Sequence, residues 1–108
     1  MTHISKKIAS YYCSLYILHD QMADITVYAD DNENLGTIHF RADNAIPIPN
    51  QYTDNRLTLN LKWNSMSHIL DLLRNENPVY IHITIDDSNV LNYISISTQQ
   101  EPVGEGEL

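Results

Sequence analysis

Five histidines, a single cysteine (Cys13) and 14 acidic side chains are the groups in this chain best suited to carry a proton, hold a metal or act as a nucleophile. Their spacing names no reaction. There is no H-E-x-x-H and no Cys/His pattern of the kind that closes a tetrahedral metal site. His39 and His82 would share a ligand only if their strands are neighbours. His68 and Asp71 stand three apart on a predicted helix, a pairing that is common by chance. The acids Asp30, Asp31, Asp86, Asp87 and Glu76 fall at predicted turns or a helix end, where carboxylates cap backbone amides. A catalytic carboxylate needs a cleft that perturbs it. No glycine-rich phosphate loop, G-x-S-x-G or Walker A is present, and Gly104-Glu105-Gly106 lacks the preceding strand that would give it meaning. Cys13 lies in an alternating apolar run with no neighbouring cation, which predicts a buried, inert thiol. No catalytic residue, metal or cofactor is assigned, and the chain is read as leaning away from enzymatic activity.

The elements that would position these groups follow from periodicity. Alternation of apolar and polar residues predicts strands over 11–18, 24–30, 37–42, 57–63, 79–85 and 90–98. The cluster Asp31-Asn32-Glu33-Asn34 predicts a turn joining the second and third strands into a hairpin. Residues 43–55, with Pro47 and Pro49, read as a long extended loop. After Trp63 the period changes from 2 to about 3.6. Residues 65–74 then read as a helix with Met66, Ile69, Leu70 and Leu73 on one stripe, a cap at Asn64 or Ser65, and a left-handed end at Asn75 or Asn77 before Pro78. The order β-β-β-β-α-β-β is an α+β domain on an antiparallel sheet of about six strands. It covers residues 1–98, and residues 99–108 read as a mobile acidic tail.

This order carries a geometric difficulty. Six strands spaced ~4.8 Å apart make a sheet about 24 Å wide, whereas one helix is only about 10 Å across. The helix cannot cover the whole apolar face. Either the sheet curls into a partial barrel, or a second copy covers it. A curled sheet that also dimerises is the expectation.

The second face of the sheet is the predicted binding face. It gathers Tyr12, Tyr16, Tyr28, His39, Arg41, Lys62, Tyr80, His82 and Tyr93, with Asn60 and several Ser and Thr. Tyr and Arg are enriched at interfaces, although Tyr and Thr also favour half-exposed strand positions in general. One slip of register would dissolve the constellation.

Charge and composition narrow the classes. With 6 Lys+Arg against 14 Asp+Glu, the 108-residue chain has a net charge of −8. Phosphate contacts need clustered cations, so nucleic-acid binding is disfavoured. The single cysteine excludes a disulfide framework, and the length fits one domain. Lys6-Lys7 before an apolar run resembles the start of a secretory signal. The run holds three Tyr and two Ser, lacks a small-x-small cleavage site, and is shorter than the ~20 residues a bilayer needs. A strand is therefore expected there, with no membrane and a cytoplasmic location. The resulting expectation is a non-enzymatic interaction module, a homodimer with an unidentified protein partner, self-associating through an under-covered sheet. The alternative is a small-ligand-binding or hydrolytic domain with a pocket under the 43–55 loop. Single-stranded nucleic-acid binding stands third.

Overall fold

The computed structural model describes residues 1–18, 22–44, 48–88 and 90–98. The described chain runs β1 (Thr2–Ile8), β2 (Ser10–Leu15), β3 (Ala23–Tyr28), β4 (Asn34–Arg41), β5 (Gln51–Thr53), β6 (Arg56–Lys62), a 3-10 turn (Trp63–Ser65), α1 (Met66–Asn75), β7 (Val79–Ile85) and β8 (Leu91–Thr98). The fold is α+β, but the single six-stranded sheet expected from the sequence is not what forms. The described residues form two sheets, a three-stranded one ordered β1-β7-β8 and a five-stranded one ordered β2-β3-β4-β6-β5, and neither closes or curls into a barrel.

The reason lies at the N-terminus. Residues 2–8 form a strand that the sequence pattern did not reveal, because its inward positions Ile4, Lys6 and Ile8 interrupt the apolar alternation with a cation. That strand pairs with β7 over its full length, from Thr2 opposite Ile85 to Ile8 opposite Val79. At Ala9 the chain leaves this sheet and enters the other, where β2 pairs with β3. Two sheets facing each other bury apolar faces that one helix could not. Ile25, Val27, Ile38, Phe40, Leu57 and Leu59 meet Ile8, Val79, Ile81, Ile83 and Ile85 in a single core. The helix adds Met66, Ile69, Leu70 and Leu73 to it, as its stripe predicts.

The sheets are not purely antiparallel. β4 and β6 run parallel, Gly36 opposite Leu57 and Ile38 opposite Leu59. Part of the expected 43–55 loop is a strand: β5 folds back on β6 through Asp54 and Asn55, whose φ angles of 55° and 63° suit a two-residue hairpin turn. The Asp31–Glu33 turn forms as expected, with Asn32 at φ 64° and the Glu33 amide donating to Asp31 Oδ1 at 3.0 Å. The expected helix caps do not form. Ser65 makes no side-chain cap, because the helix grows out of the 3-10 turn, and the Met66 amide donates to Trp63 O. At the other end Glu76 is extended, with its amide donating to Leu72 O, and the Asn77–Pro78 peptide is cis.

Cys13 is exposed, contrary to the buried thiol expected. It stands opposite Ile25 on the core-facing side, yet β2 is the edge strand of the wider sheet and that side of it is less covered than the same side of β3. No helix among the described residues is long and apolar enough to cross a membrane. The expected tail at 99–108 lies outside the described residues.

Candidate functional site

The outer face of the five-stranded sheet carries a polar row. Asp24 stands opposite His39 across β3 and β4, and His39 opposite Asn60 across β4 and β6. One step along, Arg41 stands opposite Lys62. A carboxylate only accepts hydrogen bonds, so His39 donates through Nδ1 to Asp24 Oδ1, at 2.6 Å. The Tyr16 hydroxyl donates to the other oxygen of the same carboxylate. That hydrogen bond, together with the Asp24 charge, holds the Tyr16 phenol above its ordinary pKa. Arg41 Nε donates to Asn60 Oδ1 at 3.3 Å, and Asn60 Nδ2 donates to Pro49 O at 3.3 Å. The Asn60 amide donates to Asn50 Oδ1 at 2.6 Å. The described end of the connection between β4 and β5 is thus tied to the row.

Beside it lies a depression of about 260 Å³, lined by Tyr16, Met22, Asp24, His39 and Arg41 among others. His39 Nε2 makes no hydrogen bond among the described residues, and neither Arg41 nor Lys62 forms an ion pair there. Like charges directly opposite each other on a sheet are unfavourable. At about 5 Å in water the repulsion is of order 1 kcal/mol, tolerable but not stabilising. The arrangement suits an anion better than a metal cation. Its one carboxylate already accepts two hydrogen bonds, and its neighbours are positively charged.

The outer face of the three-stranded sheet is a second polar surface. His82 is held from both sides, Nδ1 with Ser5 Oγ at 3.0 Å and Nε2 with Ser97 Oγ at 2.8 Å. His3 Nδ1 pairs with Thr84 Oγ1 at 2.9 Å. The Tyr80 and His82 rings lie 6.2 Å apart and tilted by 31°. Both His82 nitrogens are engaged and no carboxylate orients the ring, so this network ties three strands together and leaves no free base.

The nine residues of the predicted face therefore occupy different places. Tyr12, Tyr28, His39, Arg41 and Lys62 share the outer face of the five-stranded sheet, with Tyr16 just past the end of β2. Tyr80, His82 and Tyr93 share the outer face of the other sheet. His39 and His82 cannot meet on one ligand. Alternation tells which residues point outward but not which sheet they belong to. Asp24 was not among the predicted site residues. Pairing Asp24 with His39 requires the extra residue Leu35 in β4, where the register shifts between Val27 and Tyr28. Without that bulge Asp24 would face Ile38.

A third feature is a cleft between the two sheets, on the side where the edges of β1 and β5 face it. One part, about 270 Å³, is lined by Ile4, Lys6, Glu33, Leu35, Tyr52 and Ile83 among others. An adjoining part of about 550 Å³ continues over Thr53, Asp54 and Ile85. Lys6 Nζ lies 3.8 Å from Glu33 Oε1 at its mouth. Burial first, and the Glu33 charge second, raise the Tyr52 pKa above the usual value. The neutral phenol is thus the form the fold prefers. Its contribution to stability is whole below the unfolded tyrosine pKa of about 10 and is lost as pH rises through the higher folded value. An alkaline absorbance titration is expected to show late-ionising phenols from Tyr16 and Tyr52, with Tyr52→Phe removing one of the two. An unchanged late phase in that variant would contradict the assignment.

No family model, no curated protein and no solved structure matches this chain, so the functional reading rests on its own geometry.

Proposed function

We propose that the protein is a cytoplasmic interaction module without a reaction of its own, working as a homodimer joined through β2. One observation carries this: β2 pairs only with β3 among the described residues, and exposed apolar side chains lie on it and in the turn that follows. Tyr12, Leu15, Ile17 and Leu18 are 64%, 59%, 86% and 93% exposed. Natural edge strands are usually blunted by charge, proline or brevity. The β1 edge carries Lys6 and Lys7, and β5 has three residues. β8 is uncharged like β2, but Tyr93 is its one exposed large apolar side chain. β2 has none of these protections.

The occupant that fits is a second copy. Two chains of net charge −8 repel, and an uncharged strand is where they approach at least electrostatic cost. An antiparallel β2–β2 seam about a two-fold axis is self-complementary. An axis perpendicular to the sheet keeps each side chain on its own face. Residues opposed across the seam must then share parity, which allows Tyr12 opposite Tyr12 or Cys13 opposite Cys13. The second register also sets the exposed Leu15 against the half-buried Tyr11 on the core-facing side.

Light scattering at tens of micromolar is expected to give twice the monomer mass. Leu15→Lys places two like charges at the seam and is expected to weaken association at least about tenfold. Mild oxidation is expected to cross-link the dimer through Cys13, while Cys13→Ser remains dimeric without cross-linking. A strict monomer, or a dimer indifferent to Leu15→Lys, would refute the proposal. The cleft beneath Tyr52 supports a second reading, a small-ligand site, since its volume lies near the ~300–1,000 Å³ range of such sites.

A further inference from the structure

We infer that Arg41, Lys62 and His39 form a binding site for a small oxyanion of the phosphate class. The first support is where the chain spends its few cations. It has only 6 Lys and Arg, and two of them stand directly opposite each other on one face. Neither is neutralised by an ion pair among the described residues. A pair of cations serving only solubility would not need this juxtaposition in a chain of net charge −8.

The second support is orientation. Arg41 is held by its Nε to Asn60, and Asn60 is held in turn by Pro49 and Asn50. The terminal guanidinium nitrogens remain available as a planar fork, the geometry that suits phosphate and carboxylate oxygens. Asp24 fixes the His39 ring through Nδ1, which leaves Nε2 open to the anion, as a donor in the imidazolium form and as an acceptor from a phosphate hydroxyl in the neutral form. The Tyr16 hydroxyl occupies the other Asp24 oxygen. The carboxylate that would repel an anion is thus engaged on both oxygens.

The third support is shape. The depression of about 260 Å³ touches Tyr16, Asp24, His39 and Arg41, enough for a phosphate and a few attached atoms, while Lys62 stands outside its lining, opposite Arg41 on the neighbouring strand. A polynucleotide does not fit the same reasoning. It needs a run of cations along its backbone, and here the positive charge is confined to one corner.

The test is an amide and side-chain NMR titration of the full chain at low ionic strength. Inorganic phosphate is the first probe and adenosine monophosphate the second. Saturable shifts are expected at Arg41 Nε–H and the His39 and Lys62 amides, with half-saturation below about 10 mM. Tighter binding of the nucleotide would assign the site to a phosphate monoester, and equal binding would assign it to the free ion. Arg41→Ala and Lys62→Ala are each expected to weaken binding about tenfold. Arg56→Ala, at the other end of β6, is expected to leave it unchanged. Arg41→Gln serves in place of Arg41→Ala if the alanine variant loses its dispersed spectrum. Shifts that chloride reproduces at equal ionic strength, shifts that never saturate, or shifts that survive both cation substitutions would overturn the proposal.

Discussion

Gly36→Ala is expected to destabilise the protein by about 3 kcal/mol, lowering the urea midpoint with little change in slope. Gly36 lies inside β4 with φ at 151°, a region L side chains rarely adopt. It also stands opposite Leu57 in the parallel pair. A Cβ built there would fall 2.8 Å from Leu57 Cβ and from Leu57 N, and closer still to Leu57 O. Two of these three atoms are backbone in a central strand, so they cannot swing aside as a flexible side chain would. The alanine must pay twice, in torsion and in contact. Valine at the same position is expected to do more damage, because its branched Cβ adds bulk to the same collision. A Gly36→Ala midpoint matching wild type would show that β4 and β6 can separate there, against the register described.

Phe40→Ala is the second substitution expected to have a large effect, about 3–5 kcal/mol. Phe40 is the chain's one phenylalanine and is 1% exposed. It sits opposite Ala23 on one side and Leu61 on the other. Both neighbours are held in hydrogen-bonded strands, so the walls of the resulting cavity have little freedom to collapse. Since small domains are stable by only about 5–15 kcal/mol, the variant is expected to be largely unfolded well below the wild-type melting temperature. Phe40→Leu keeps much of the volume and is expected to lose about half as much. Thermal unfolding followed by circular dichroism reads both. A loss under about 1 kcal/mol for alanine would mean the core around Phe40 repacks.

How much of this was legible in the residues differs element by element. The strands over Ile25–Val27, Ile38–Phe40, Leu57–Leu61 and Val79–Ile85 alternate cleanly, and each turns its apolar set to the core, buried except for the half-buried Leu61. The Met66–Asn75 helix announced itself by its change of period. The first strand did not, because Lys6 takes an inward position beside the cleft and breaks the apolar rhythm. The short β5 hid behind prolines and turn residues. These two omissions turned two sheets into one, and the expected curling followed from that count. The site was legible in part. His39, Arg41, Asn60 and Lys62 share a parity that the sequence displays. Their partner Asp24 depends on a bulge at Leu35, which no periodicity records. Tyr80, His82 and Tyr93 share the same outward parity but belong to another sheet, and parity alone cannot separate them.

The change of sheet at Ala9 has a consequence for how the chain assembles. The pairings β2–β3, β3–β4, β5–β6 and β7–β8 join segments close in sequence, and short loops close at small entropic cost. β1 is different. Its only pairing among the described residues is with β7, linking Thr2 to Ile85 and Ile8 to Val79. β1 is therefore synthesised well before the strand that pairs with it, and has no place to go until β7 has emerged. Because β1 continues directly into β2, its docking also fixes the angle between the two sheets. The strand that waits for its partner thus becomes the clasp between the two sheets.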